Sequence, residues 1–204
     1  MDALHVDVFV LLRGIIPIKH SLLRALRVRR RGRAARTVFN FTSQSHNRSN
    51  DDLRRTQTHF APDETQSLTA LSDAVARELA GTGTKCVPAE WVILSSSAGC
   101  QQQHRHHDFD PEALRDIKDK EIPLAVIVGM QSDTKLIVWP GAIRGVVPDP
   151  DVAGTTITFG PGDMVIFRGD LVHAGSAYAR SNMRVHAYAD TTSTIRQDNS
   201  TYLC

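Results

Sequence analysis

Thr155-Thr156-Ile157-Thr158-Phe159-Gly160-Pro161-Gly162-Asp163-Met164-Val165-Ile166-Phe167 holds two β-rich runs with a Gly-Pro-Gly-Asp turn between them. β-Branched and aromatic residues suit pleated, half-buried backbone, and Gly, Pro and Asp interrupt it. The pattern continues outward on both sides. Trp91-Val92-Ile93-Leu94, Leu124-Ala125-Val126-Ile127-Val128 and Leu136-Ile137-Val138-Trp139 precede this stretch, and Arg184-Val185-His186-Ala187-Tyr188 follows it. Pro140-Gly141 and Pro148-Asp149-Pro150 punctuate the series. Many short strands at close spacing predict a mainly β domain with flanking helices, built as a sandwich or barrel.

The N-terminal part reads differently. Residues 5 to 13 predict a first strand, and residues 18 to 31 a helix with Leu22, Leu23 and Leu26 among arginines. Residues 42 to 58 are polar and predict a long loop. Leu68, Leu71, Val75 and Leu79 form one apolar stripe of a second helix, with Pro62-Asp63 before it and Gly81 after it. A short helix is expected after Asp110, a good N-cap followed by Pro111. From Thr191 the chain is polar and is expected to run over the surface. The whole, residues 1–204, is read as a single domain: an N-terminal strand and supporting helices over 1–87, a β core over 88–190 and a tail over 191–204.

The totals exclude several classes. Hydrophobic residues at 41% and charged residues at 23% suffice for an ordinary core. Three cysteines, Cys86, Cys100 and Cys204, are too few and too scattered for a disulfide framework, and no Cys-x-x-Cys pair suggests a zinc site. The apolar stretch Val6 to Leu12 is too short for a membrane span of about 20 residues. It also lacks the flanks of a signal peptide, so a cytoplasmic or nuclear location is expected. A net charge of +2 does not by itself call for a polyanionic partner. The cluster Arg24, Arg27, Arg29, Arg30, Arg31, Arg33 and Arg36 is the one place where nucleic acid is a candidate partner.

The densest set of candidate ligands is Gln103-His104-Arg105-His106-His107-Asp108. On a strand, side chains two apart share a face, so His106 and Asp108 point one way and His107 the other. His104 joins the same face if the strand extends back that far, and can then compete with His106 as a ligand. Downstream, Gly169-Asp170-Leu171-Val172-His173-Ala174-Gly175 offers His173. Two histidines and a carboxylate can occupy one face of an octahedral metal, leaving the other open.

These residues resemble the iron(II)/2-oxoglutarate-dependent dioxygenases over roughly residues 90 to 190. That superfamily carries His-x-Asp, a distal His, and an Arg or Lys about ten residues later. Here the series is His106-x-Asp108, His173, and Arg184 eleven residues on. Gln103, three residues before His106, is similar to family variants, and Gly160 to Phe167 looks like the hairpin and strand leading to the distal His. The resemblance implies a double-stranded β-helix, or jelly roll, with iron(II) on His106, Asp108 and His173. It further implies 2-oxoglutarate as co-substrate with its distal carboxylate on Arg184, oxygen as oxidant, and ascorbate to keep iron ferrous. The reaction implied is decarboxylation to succinate coupled to hydroxylation, or hydroxylation-driven demethylation, of an unidentified substrate. That substrate is a small molecule, a protein side chain or a nucleobase. Phytanoyl-CoA-hydroxylase-like and prolyl-hydroxylase-like members are both similar.

Other assignments compete. A cupin-type metal dioxygenase would not use 2-oxoglutarate, and Arg184 would then have no carboxylate to grip. A non-catalytic jelly-roll module would not need the triad. Arg184 can instead pair with Asp170 or Asp163. Gln103 can touch substrate or hydrogen-bond the backbone. His186 and Tyr188 alternate with Arg184 on one face and either line a pocket or fill the core. Trp139 reads as a core or rim aromatic, and Cys100 as an unlikelier ligand than Asp108.

Overall fold

The computed structural model describes residues 8–32, 36–37, 40–41, 54–194, 196 and 200–204. Its strands are β1 Phe9–Leu12, β2 Arg36–Thr37, β3 Asn40–Phe41, β4 Arg55–His59, β5 Cys86–Ser96, β6 His106–His107, β7 Leu124–Gly129, β8 Thr134–Val138, β9 Thr155–Phe159, β10 Met164–Arg168, β11 His173–Gly175, β12 Asn182–Thr191 and β13 Ser200–Leu203. The helices are α1 His20–Gly32, α2 Gln66–Ala80 and a single turn, α3 Pro111–Leu114. The strands make a seven-stranded sheet, β1-β10-β7-β12-β5-β4-β2, and a six-stranded sheet, β3-β13-β6-β11-β8-β9.

The two-residue period of a strand explains how the larger sheet serves two layers. Val126, Val128, Ile166, Val185 and Ala187 face outward and pack with Leu22 and Leu26 of α1 and Leu68, Leu71, Val75 and Leu79 of α2. Their neighbours Ala125, Ile127, Val165 and Phe167 face inward and meet Leu136, Val138, Ile157 and Phe159 of the smaller sheet. Both faces are covered, so these strands read as continuous apolar runs rather than alternating ones. On β12 the inward residues are Arg184, His186 and Tyr188, and that substitution of polar for apolar creates the site.

Helix α2 forms as its periodicity predicts. Thr65, not Pro62-Asp63, is its N-cap and accepts a hydrogen bond from the Leu68 N–H. Pro62–Glu64 form a 3₁₀ turn just before it. Gly81 closes the helix, its N–H donating to the carbonyls of Arg77 and Glu78.

Three expectations are corrected. Within the supposed loop 42–58, Arg55–His59 form β4, paired with β5 over five residues; residues 42–53 lie outside the described ones. The tail is not all surface: β13 pairs with β6, placing Tyr202 opposite His107 and Leu203 opposite His106. The turn Gly160–Asp163 closes no hairpin. β9 pairs with β8, whereas β10 pairs with β1 and β7, so the turn carries the chain from one sheet to the other. Gly162 is required there: its φ is +83°, and a Cβ would lie 2.3 Å from the Ile16 carbonyl oxygen. The Asp163 carboxylate ties the turn down, accepting from the N–H of Gly14 at 2.9 Å and of Gly160 at 2.8 Å, and from Arg13 at 2.6 Å. The strand expected over 5–13 is described as β1 from Phe9; residues 5–7 lie outside the described residues. No helix among the described residues is long and apolar enough to cross a membrane.

Candidate metal centre

β6 and β11 run antiparallel with His106 directly opposite His173. Directly opposed side chains on one face meet, and here the two ring centroids are 4.4 Å apart. Asp108 returns to that face two residues beyond His106. Ligand atoms of His106, Asp108 and His173 all lie within 4.8 Å of one another, and all three residues are buried.

Backbone carbonyls set the histidine tautomers. The Nδ1 of His106 is 2.8 Å from the His104 carbonyl oxygen, and that of His173 is 3.0 Å from the Leu171 carbonyl oxygen. A carbonyl can only accept, so each Nδ1 carries a proton and each Nε2 is turned to its neighbours. Burial, reinforced by the His173 charge, pushes the pKa of His106 down to about 3, so its ring is neutral and its lone pair available. For His173, burial acts downward, but the Asp108 carboxylate outweighs it and the net shift is upward. The His173 Nε2 lies 3.5 Å from Asp108 Oδ1. A divalent cation between them would take the place of that proton.

Burial opposes ionisation of Asp108, yet His173 and His186 outweigh it and hold the carboxyl well below the usual range. Its Oδ2 is buried without a hydrogen-bond partner among the described residues. His186 Nε2 stands 3.3 Å away and is likewise buried without a hydrogen-bond partner among the described residues, and burial lowers the His186 pKa. A buried carboxylate oxygen without a donor among the described residues, beside two imidazoles whose Nε2 atoms face it, fits a hard or borderline divalent cation.

The neighbouring histidines part company. His107 turns away, its Nδ1 3.0 Å from the Asp170 carbonyl oxygen. His104 is exposed and contributes its carbonyl. Cys100 is buried and bridges to Tyr178, outside the cluster.

A small cavity, open to solvent, lies over the triad and is lined also by Gln57, Gln103, Arg184, His186, Tyr188 and Arg196. Arg184 is 4% exposed and donates to Ser96 Oγ at 3.1 Å, with its guanidinium 5.6 Å from the Tyr178 ring centre. Among the described residues no carboxylate pairs with it. Asp170 is engaged by Arg168 at 2.9 and 2.8 Å, and Asp163 by Arg13. Burial lowers the Arg184 pKa; Tyr178 opposes that and the Arg55 charge adds to it. His186 and Tyr188 line the cavity, with Trp139 buried in a separate apolar cluster. Of the two alternatives for Gln103, the backbone hydrogen bond is present, its Oε1 accepting from the Gly175 N–H at 2.7 Å, and the side chain also borders the cavity.

Several site residues lie outside any sequence motif. Arg55, 1% exposed, donates to Ser96 Oγ at 3.1 Å, to the Ser176 carbonyl at 2.6 Å and to the Gln101 carbonyl. Arg196 pairs with Glu90, lies 3.4 Å over the Tyr188 ring and reaches the Asp108 carbonyl at 3.4 Å. The only available signal was the alternation Arg55, Gln57, His59.

No family model matches the sequence, and no curated protein matches it. Solved structures do match. SnoN, a non-heme alpha ketoglutarate dependent epimerase from nogalamycin biosynthesis, superposes with a TM-score of 0.67 at 13% identity, over 92% of this chain and 78% of that one. A Pseudomonas putida prolyl-4-hydroxylase gives 0.64 at 12% identity, over 93% and 96%. EctD from S. alaskensis, solved with 2-oxoglutarate and 5-hydroxyectoine, gives 0.64 at 16% identity, over 96% and 76%. The fold is a double-stranded β-helix. At these identities the likeness is one of fold, and the chemistry must be argued from this chain's own residues. Within the β-helix, the triad sits on the inner face of the smaller sheet, and Arg184 projects inward from the larger one.

Proposed function

We propose that this chain is a non-haem iron(II) oxygenase that consumes 2-oxoglutarate and oxygen and hydroxylates a C–H bond of its substrate. The observation that carries the reading is the pairing of two features in one cavity. One is the buried His106, Asp108 and His173 cluster. The other is a buried guanidinium, Arg184, that no carboxylate of the described residues neutralises. A buried charge without a partner is costly, and a ligand carboxylate is what would relieve it.

His106 and His173 would hold the metal through Nε2 and Asp108 through a carboxylate oxygen, which leaves part of the coordination sphere open. The chemistry supplied when iron(II) and 2-oxoglutarate are both bound is oxidative decarboxylation to succinate, coupled to insertion of an oxygen atom into a C–H bond. The chain's own part is positioning. The carbonyls of His104 and Leu171 keep the imidazoles oriented. His186 sits against Asp108 Oδ2, and Arg196 holds the Asp108 backbone. Arg184 grips the distal carboxylate of the keto acid through paired, charge-assisted hydrogen bonds. Phe167, 4.8 Å from the His173 ring centre, together with Ile127 and Leu136, keeps water from that side of the metal.

The test is turnover in air with iron(II), 2-oxoglutarate and ascorbate. Succinate should form in step with 2-oxoglutarate loss, slowly without substrate and faster when a screened compound is hydroxylated. A cupin-type dioxygenase would leave 2-oxoglutarate intact under the same conditions.

A further inference from the structure

The net charge of +2 conceals a strong segregation. Residues 8 to 50 carry ten of the 24 basic residues and none of the 22 acidic ones, so the remainder is net negative. Nine of those ten are arginine. Such asymmetry points to an anionic partner.

Helix α1 shows how this charge is presented. It contains no acidic residue. Arg24, Arg27 and Arg31 are exposed and fall at i, i+3 and i+7, on one face, with exposed Arg30 alongside. None of the four pairs with a carboxylate among the described residues. Arg29, on another side of the helix, is engaged by Glu64 at 2.5 Å. The helix dipole favours cations in the last turn, which accounts for Arg30 and Arg31 but not for Arg24 or Arg27.

The partner's class follows from what α1 has left to offer. A helix that lies in a membrane surface needs its apolar face. That of α1 is already used: Leu22 and Leu26 are 3% and 0% exposed, packed with α2 and the outer face of the larger sheet. Val28 is its one exposed large apolar residue. What remains is a row of guanidiniums, each able to grip a phosphate bidentately. From Arg24 to Arg31 the helix rises about 10 Å, roughly three phosphate steps of one strand at about 3.4 Å each.

We propose that the exposed face of α1, formed by Arg24, Arg27, Arg30 and Arg31, binds the phosphate backbone of a nucleic acid, on the side of the larger sheet away from the cavity. The binding is independent of base sequence and rests on release of counterions.

The experiment uses the full chain and a labelled 30-nucleotide oligomer, single-stranded or duplex, in anisotropy titrations from 50 to 200 mM salt. Binding should weaken steeply with salt. Arg24→Ala/Arg27→Ala/Arg31→Ala should flatten the slope of log K against log salt by about 2 to 3, since each lost contact removes about 0.7 for a single strand or 0.9 for duplex. The melting temperature and succinate production of that variant should match the wild type, because none of the three side chains lies in the core or the cavity. No binding of either form at 50 mM salt overturns the proposal. So does an unchanged slope in the triple variant, or phosphatidylserine vesicles that bind as tightly as the oligomer and compete with it.

Discussion

Replacing Arg184 by methionine separates a ligand-gripping guanidinium from a structural one. Arg184 and Arg55 each donate through Nη1 to the same Ser96 Oγ, at 3.1 Å, so two like charges share one buried acceptor. Arg184→Met loses one hydrogen bond, about 1 kcal/mol, and an aromatic contact with Tyr178 of about 0.5–1 kcal/mol. Against this, it removes a buried ion whose desolvation costs several kcal/mol even after relaxation. Desolvation wins, so the variant without ligand should melt no lower than the wild type, and higher by about 2–4 °C for each kcal/mol gained in a chain of this size. Affinity for 2-oxoglutarate should move the other way. Removing one partner of a buried, hydrogen-bonded charge pair costs about 2–5 kcal/mol, a loss of roughly 30-fold to more than 1,000-fold. Melting curves without 2-oxoglutarate and anaerobic calorimetric titration of it, with iron(II) present, read both effects. A fall of several degrees in the melting temperature, with 2-oxoglutarate affinity unchanged, would refute the reasoning and make Arg184 a structural residue.

Three further outcomes are expected. Asp108→Ala should weaken iron(II) by more than about 100-fold in a chelator competition, while His104→Ala, at an exposed position, should leave it within about threefold. Leu26→Ala empties a fully buried position under α1 and should cost about 2–5 kcal/mol in urea unfolding. Asp163 supplies a pH test. Burial raises its pKa, but the N–H groups of Gly160 and Gly14 and the Arg13 guanidinium outweigh that and lower it overall. A depressed carboxyl pKa stabilises the fold above the unfolded value of about 3.9, and that contribution is lost as pH falls through the folded pKa. Asp163→Asn should therefore cost about 2 kcal/mol at pH 7, and the gap to the wild type should close as the pH drops below about 4.

Legibility from sequence followed how each strand divides between water and oil. β5, β7, β10 and β12 are apolar on their outward faces, and α2 carries a clean stripe, so their periodicity announces them. β4 is Arg55-Thr56-Gln57-Thr58-His59, without one apolar residue, and reads as loop. Its inward residues are polar because they serve the cavity and the backbone around it, and burial then leaves no hydrophobic signal. β13, Ser200–Leu203, is only four residues long, and its partners β3 and β6 are remote in sequence. The turn after Phe159 looks like a hairpin because local sequence marks the turn but not the sheet that each flanking strand joins. In the site, His106, Asp108, His173 and Arg184 stand out because ligand chemistry restricts residue type and spacing. Alternation from Arg184 points to His186 and Tyr188. Arg55, Ser96 and Arg196 reach the centre from three other segments, and no spacing rule links them.

The central claim is that His106, Asp108, His173 and Arg184 together bind iron(II) and 2-oxoglutarate. Its most direct test is the visible spectrum of the full chain under strict anaerobiosis as iron(II) and then 2-oxoglutarate are added. A weak visible band should appear only when both are present, and it should bleach when air is admitted as succinate forms. Absence of the band, with iron bound and no succinate produced in air, would contradict the claim.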